Sequence, residues 1–275
     1  MISMTPRKHI PLSLTLLTPA VAIVLTLAVG AGIFGLLGFS PLGSLYTFFV
    51  APISRPDQIG DLFVKACPLI ITATGLVFCF RANVWNIGAE GQLVFGAIFS
   101  GWVALSFPDW PAITLMPAMV LASIIGGICW AMIPALLKVR FNTNEILVSL
   151  MLTYVAALFI DWLVRGPWRD PMSFGFPLTK MYSDAGLIHR IDVPFVGSLG
   201  QLHWGVVGAL LLAVAGSFVL SRTILGFQIK VMGDAPRAGR FAGFKPHLVT
   251  IGVMAIAGGA AGLAGMVEVS ASMGQ

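Results

Sequence analysis

From Leu14 to Leu37 the chain runs for 24 residues without a charged side chain. A helix of that length spans about 36 Å, enough to cross the roughly 30 Å of hydrocarbon in a bilayer. It is also too long for the core of a secretory signal, so it is expected to stay in the protein as an uncleaved first span even though Arg7 and Lys8 precede it. Six further apolar runs follow, at about 66–80, 93–107, 113–137, 146–164, 202–220 and 248–267. Only 10% of the 275 residues are charged and 57% are hydrophobic, whereas soluble domains carry about 25% charged residues. Lipid leaves no water to satisfy an open backbone, and helices satisfy their own. The expected fold is therefore all-α: a polytopic transmembrane bundle of about seven spans, forming a single domain over 1–275. The second and third runs are short, so they must tilt, borrow flanking residues or be pieces of an interrupted helix. Pro117 and Pro134 can kink the fourth.

Basic residues set the orientation. With the N-terminus inside, the cytoplasmic connections hold Arg7, Lys8, Arg81, Lys138, Arg140, Arg222, Lys230, Arg237, Arg240 and Lys245, ten of the sixteen Lys and Arg. The connections 38–65, 108–112 and 165–201 then face outward. The last of these mixes Pro167, Pro171, Pro177 and Pro194 with Trp168, Phe174 and Tyr182, and is expected to pack against the membrane exterior. The formal charge of +5 is scattered over short loops, which argues against a nucleic-acid surface. Cys67, Cys79 and Cys129 lie in or beside apolar runs without a Cys-x-x-Cys pair, and are expected to be small buried residues. His9, His189, His203 and His247 fall near span ends or in loops, where solvated or interfacial rings are expected and no metal site is assigned.

Three segments carry chemistry. The first, NVWNIGAEGQ at 83–92, places a carboxylate, amides and glycines between two apolar runs. It is either a break at membrane depth lining a watery path or a cytoplasmic turn between two spans. The second, RFNTNEILVSLMLTY at 140–154, puts Glu145 three residues after Asn142, the spacing of a capping box that would start the fifth span. The third is the loop 221–247. There Asp234 can cap a short helix, Pro236 fits its first turn and Gly243 can close it. Ala238, Phe241 and Ala242 would form a small apolar face, with Arg237 and Arg240 on another. Such a helix fits a groove on a partner protein or rests on anionic lipid. Small residues Gly258, Ala261, Gly262, Ala264 and Gly265 let the last span approach its neighbours.

In this order FRANVWNIGAEGQ, NEILVSLMLTY, GFQIKVMGDAPRAGRFAGF and GGAAGLAGMVEV resemble the inner-membrane permeases of ABC importers. The chain is similar over about residues 60–270 to the branched-chain amino acid and simple-sugar superfamily, in its nucleoside or simple-sugar branch. The resemblance implies a role near the translocation path, or in supporting its break, for Asn86, Gly88, Glu90, Gly91 and Gln92. It implies coupling to an ATPase for Gly233, Asp234, Arg237, Ala238 and Gly243. It further implies three protein partners: a cytoplasmic ABC ATPase, a homologous second permease subunit and an extracytoplasmic substrate-binding protein. ATP would be used by the ATPase, with no cofactor bound by this chain, no enzymatic activity of its own and a place in a bacterial inner membrane. Trp85 stands where phenylalanine is commoner, Thr153 where asparagine often occurs, and Gly239–Phe241 in place of Ala-Arg-Tyr. Members continue through further spans, so the chain is expected to be truncated at its C-terminus.

Two other function classes are weaker. An ion-coupled secondary transporter needs intramembrane acids, and only Glu90, Asp161 and Glu268 approach the spans, with Asp161 placed to pair with Arg165 at the surface. An intramembrane enzyme needs a paired nucleophile and base or a metal-ligand cluster, and no span carries either.

Overall fold

The computed structural model describes residues 11–191 and 200–275. Arg7, Lys8, His9 and Pro194, invoked above, lie outside the described residues. The chain divides into two compact units, 1–59 and 60–275.

In the first unit α1 (Leu12–Leu36) is the expected first span, with Pro19 inside it. The connection after it is not wholly irregular. Ser40 caps a short helix, α2 (Pro41–Phe49), by accepting a hydrogen bond from the Gly43 N–H at 3.2 Å, and Pro41 occupies its first position. Phe34 and Phe48 bring these two helices together with ring centroids 5.6 Å apart.

The remaining helices are α3 (Pro56–Arg81), α4 (Ala89–Ser106), α5 (Ala112–Phe141), α6 (Glu145–Arg165), α7 (Trp204–Arg222), α8 (Ile224–Asp234), α9 (Pro236–Phe241) and α10 (Pro246–Val267). No strand occurs among the described residues. Six helices are long and apolar enough to cross a membrane: α1, α3, α5, α6, α7 and α10 with its continuation to Met273. The other expected span, 93–107, is the 18-residue α4, whose first turn carries Glu90 and Gln92. The short second run is resolved by borrowing: α3 extends it back to Pro56 through Asp57, Asp61 and Lys65, giving 26 residues. Pro117 and Pro134 both sit inside the continuous α5.

The core of the second unit is α4, α5 and α10, packed backbone to backbone. A Cβ built on Gly127 would lie 2.0 Å from the Gly258 carbonyl oxygen, and one on Gly265 would lie 2.1 Å from that of Leu93. Only glycine permits such contact, the small-residue logic of membrane helix pairs.

Three local expectations are corrected. Asn142 does not cap α6; it ends α5 in the left-handed conformation, φ 52° and ψ 35°, and its N–H donates to the Lys138 carbonyl. The cap is Asn144, whose side chain accepts from the N–H groups of Ile146 and Leu147. Cys67 and Cys79 are buried as expected, but Cys129 is exposed on the flank of α5. His203 is not solvated: it is only 1% exposed, held in extended backbone directly before α7.

Candidate functional site

The polar stretch after α3 begins where Asn83 turns the chain with φ 56°, after which residues 84–88 belong to no helix or strand. Burial alternates along them. Ala82, Val84, Asn86 and Gly88 are buried, while Asn83, Trp85 and Ile87 are exposed. Asn86 and Gln92, each 1% exposed, form a closed amide pair. The Asn86 Nδ2 donates to Gln92 Oε1 at 3.0 Å, and Gln92 Nε2 donates back to Asn86 Oδ1 at 3.0 Å. The same Asn86 oxygen accepts the Gly88 N–H at 3.1 Å. One side chain thereby fixes the entry into α4 and satisfies a glutamine that would otherwise be an unpaired buried amide.

Gly88 and Gly91 let this entry lie against α6. A Cβ on Gly88 would stand 2.8 Å from the Ser149 carbonyl oxygen, and one on Gly91 would stand 3.1 Å from the Thr153 Cα. The Ile87 N–H donates to Ser149 Oγ at 3.2 Å. Ser149 and Thr153 are four and eight residues into α6, so at about 1.5 Å per residue the stretch enters about 6–12 Å beyond that helix's first residue. It is neither a mid-bundle break nor a turn lying wholly at the end. Glu90 is the exception among the five residues: its side chain is exposed on the first turn of α4, turned away from the amide pair.

Nearby, Lys138 at the end of α5 forms an ion pair with Glu145 at the start of α6, and the Trp85 backbone lies beside the Glu145 carboxylate. Glu145 is only 9% exposed. Its role is therefore the ion pair that closes the α5–α6 turn, not the capping box expected from spacing.

The second set of residues lies at the same end of this unit. The loop 221–247 holds two helices where one was expected. Thr223 caps α8 by accepting from the Gly226 N–H at 3.2 Å, and α8 ends at Asp234. Asp234 does not cap α9; Ala235 holds that position without a side-chain bond, and Pro236 opens the helix. Gly243, at φ 82°, closes it as expected, with Phe244 N–H donating back to the Gly239 carbonyl at 3.0 Å. Of α9 only Gly239 is buried, against Met232. Arg237, Ala238 and Arg240 are exposed, and Phe241 is 95% exposed. Gly233, where α8 meets α9, abuts the Arg81 carbonyl at the end of α3, directly before the polar stretch.

The opposite end is closed by the loop after α6. The Tyr182 N–H donates to the Gly274 carbonyl at 2.8 Å and the Ile188 N–H to that of Ser270 at 3.0 Å. Burial pushes the Tyr182 phenol up to about 12 and holds the His203 imidazole below its ordinary value. Glu268 opens a π-helical turn, Glu268–Met273, and lines a cavity of about 290 Å³ together with Trp168, Thr179 and Tyr182. Asp161 and Arg165 form the expected exposed ion pair. No cluster of metal-ligating side chains occurs among the described residues.

Sequence reasoning missed Ser149 and Lys138. Each had a signal: Ser149 follows Glu145 by one helical turn, and Lys138 is a cation at the end of a span facing the next helix's first acid.

Stacked apolar helices with a buried polar joint and a protruding short helix define a multi-pass membrane protein. The chain belongs to the family described as branched-chain amino acid transport system / permease component, which matches residues 58–274. Among curated relatives, the glucose ABC transporter permease protein TsgB13 of Haloferax volcanii is 33% identical over 279 residues, covering 100% of this chain and 73% of the relative. The guanosine ABC transporter permease protein NupP of Bacillus subtilis is 31% identical over 260 residues, covering 92% and 71%. The nucleoside ABC transporter permease protein NupB of Lactococcus lactis is 29% identical over 253 residues, covering 91% and 70%. No solved structure matches the chain.

Proposed function

We propose that this chain is the membrane-spanning permease subunit of an ATP-binding-cassette importer that takes up a nucleoside or a simple sugar. The observation that carries this reading is α9: a short helix with its Phe241 face uncovered, built on a joint that abuts the end of α3 just before the polar stretch. A bare aromatic beside two arginines suits a groove on a protein partner. In this reading that partner is a cytoplasmic ATPase that binds and hydrolyses ATP, and this chain binds no cofactor and catalyses no reaction. Gly233, Asp234, Arg237, Ala238 and Gly243 form the coupling element. Asn86, Gly88, Gly91 and Gln92 hold the polar entry into α4 beside the translocation path, and Glu90 faces that path. A second, homologous permease subunit completes the path and an extracytoplasmic protein delivers the solute. The kinship to glucose, guanosine and nucleoside permeases supports the solute class. The subunit lies in a bacterial inner membrane with the N-terminus and the 221–247 loop inside, as the distribution of basic residues favours.

Replacing Arg237 and Ala238 together by Asp tests this. Charge reversal at a packed contact is expected to abolish ATP-driven uptake or assembly with the ATPase, while the binding protein still holds its solute. Normal ATP-driven uptake by that variant, or uptake driven by an ion gradient without an ATPase, would refute the reading.

A further inference from the structure

Between α3, α7 and α8 lies a cavity of about 460 Å³ whose lining includes none of the residues of the candidate site. Its charged end is formed by Arg81 and Lys230. Neither cation forms an ion pair among the described residues, whose three ion pairs are Arg55–Asp57, Lys138–Glu145 and Arg165–Asp161. Two hydroxyls in the lining are already committed as donors, Thr74 to the Ile70 carbonyl at 2.7 Å and Ser221 to that of Ser217 at 2.7 Å. The two cations and the Ser217 hydroxyl are thus the free donors, and what they fit is an anion.

Apart from these hydroxyls the wall is apolar, with Ile70, Ala73 and Val77 on one side and Ala213 and Leu220 on the other. Along α3 the lining runs from Arg81 back to Ile70, eleven residues or about 16 Å. That matches the hydrocarbon depth of one leaflet, about 15 Å. A free oxyanion would use only the charged end. A molecule with an anionic head and a hydrocarbon tail uses all of it, and basic pockets between membrane helices hold such head groups.

We propose that this cavity binds an anionic phospholipid, its phosphate between Arg81 and Lys230 and one acyl chain along Ile70, Ala73 and Ala213. The site rests on the chain being a membrane protein and not on what it transports. Because the Arg81 carbonyl abuts Gly233, the lipid sits beside the joint between α8 and the polar stretch.

Native mass spectrometry of the purified full-length chain with phosphatidylglycerol or phosphatidylcholine tests the site. The wild type should prefer phosphatidylglycerol, and Arg81→Gln with Lys230→Gln should lose about fivefold per cation, about 25-fold for the pair. Ala73→Phe keeps both charges and fills the chain slot at an exposed position, so it should weaken phosphatidylglycerol as well and serves if the double variant fails to fold. Retention by either variant at wild-type strength would overturn the proposal. So would displacement of the lipid by inorganic phosphate at equal concentration, which would assign the cations to a free oxyanion.

Discussion

Gly233 meets the carbonyl of Arg81 so closely that a Cβ placed on it would lie 2.1 Å from that oxygen. Two backbones are in direct contact, with no side chain between them to absorb a displacement. In the proposed function, force applied to the exposed α9 would pass to the end of α3 through this main-chain contact.

This contact makes Gly233→Ala a sharp test. The methyl group cannot be accommodated without moving α8 from Arg81, and overpacking of this kind costs about 1–3 kcal/mol. ATP-driven uptake in proteoliposomes should fall at equal protein content. Gly208→Ala in α7, where a Cβ meets nothing within 4 Å, is the control and should leave thermal stability unchanged or slightly raised. Equal behaviour of the two variants would remove the joint from the mechanism.

The amide pair predicts non-additivity. Asn86→Ala leaves Gln92 buried without a partner, and Gln92→Ala does the same to Asn86, so each should cost about 1–3 kcal/mol in thermal unfolding. The double variant should cost clearly less than the two together, because neither orphan remains. Strict additivity would mean that the two amides do not rely on each other.

How much of this was legible in the chain depended on whether a feature is local. Runs such as 14–37 or 146–164 needed no partner to be read, since lipid alone forces them into helices. The start of α3 was hidden because Asp57, Asp61 and Lys65 interrupt its hydrophobicity, and α8 because Gln228 and Lys230 do the same. Asn142 and Asn144 are both plausible caps by composition, and only the backbone decides between them: the left-handed turn at Asn142 leaves Asn144 facing the open N–H groups. In the site, the residue types of 83–92 stood out, but the Asn86–Gln92 pairing joins a residue outside any helix to a helical one, a relation with no fixed period.

The buried imidazole gives a pH effect with a definite sign. His203 is held neutral by burial, so its folded pKa lies below the unfolded value of about 6.5. Below that pH the unfolded chain takes up a proton that the folded chain resists. The contribution of His203 to stability is therefore complete above about pH 6.5 and is lost as pH falls beneath it. Thermal midpoints of the detergent-solubilised protein should drop between pH 7 and pH 5 by more in the wild type than in His203→Leu. Parallel pH profiles would show that His203 does not carry the effect.

Glu90 and Glu145 separate transport from stability. Glu90 is exposed on the first turn of α4 and forms no ion pair among the described residues. Its replacement by Ala should leave the thermal midpoint unchanged while lowering uptake, if the face it occupies borders the solute path. Glu145 is buried against Lys138, and Glu145→Ala strands that cation at the α5–α6 turn. Stranding one partner of a largely buried pair is more damaging than replacing both. Glu145→Ala should therefore lower the midpoint and the amount of protein in the membrane, and Lys138→Met combined with Glu145→Leu should restore much of both. Uptake normalised to abundance is the deciding measurement. A Glu90 variant with wild-type normalised uptake would show that this carboxylate has no part in transport, whatever the amide pair behind it does.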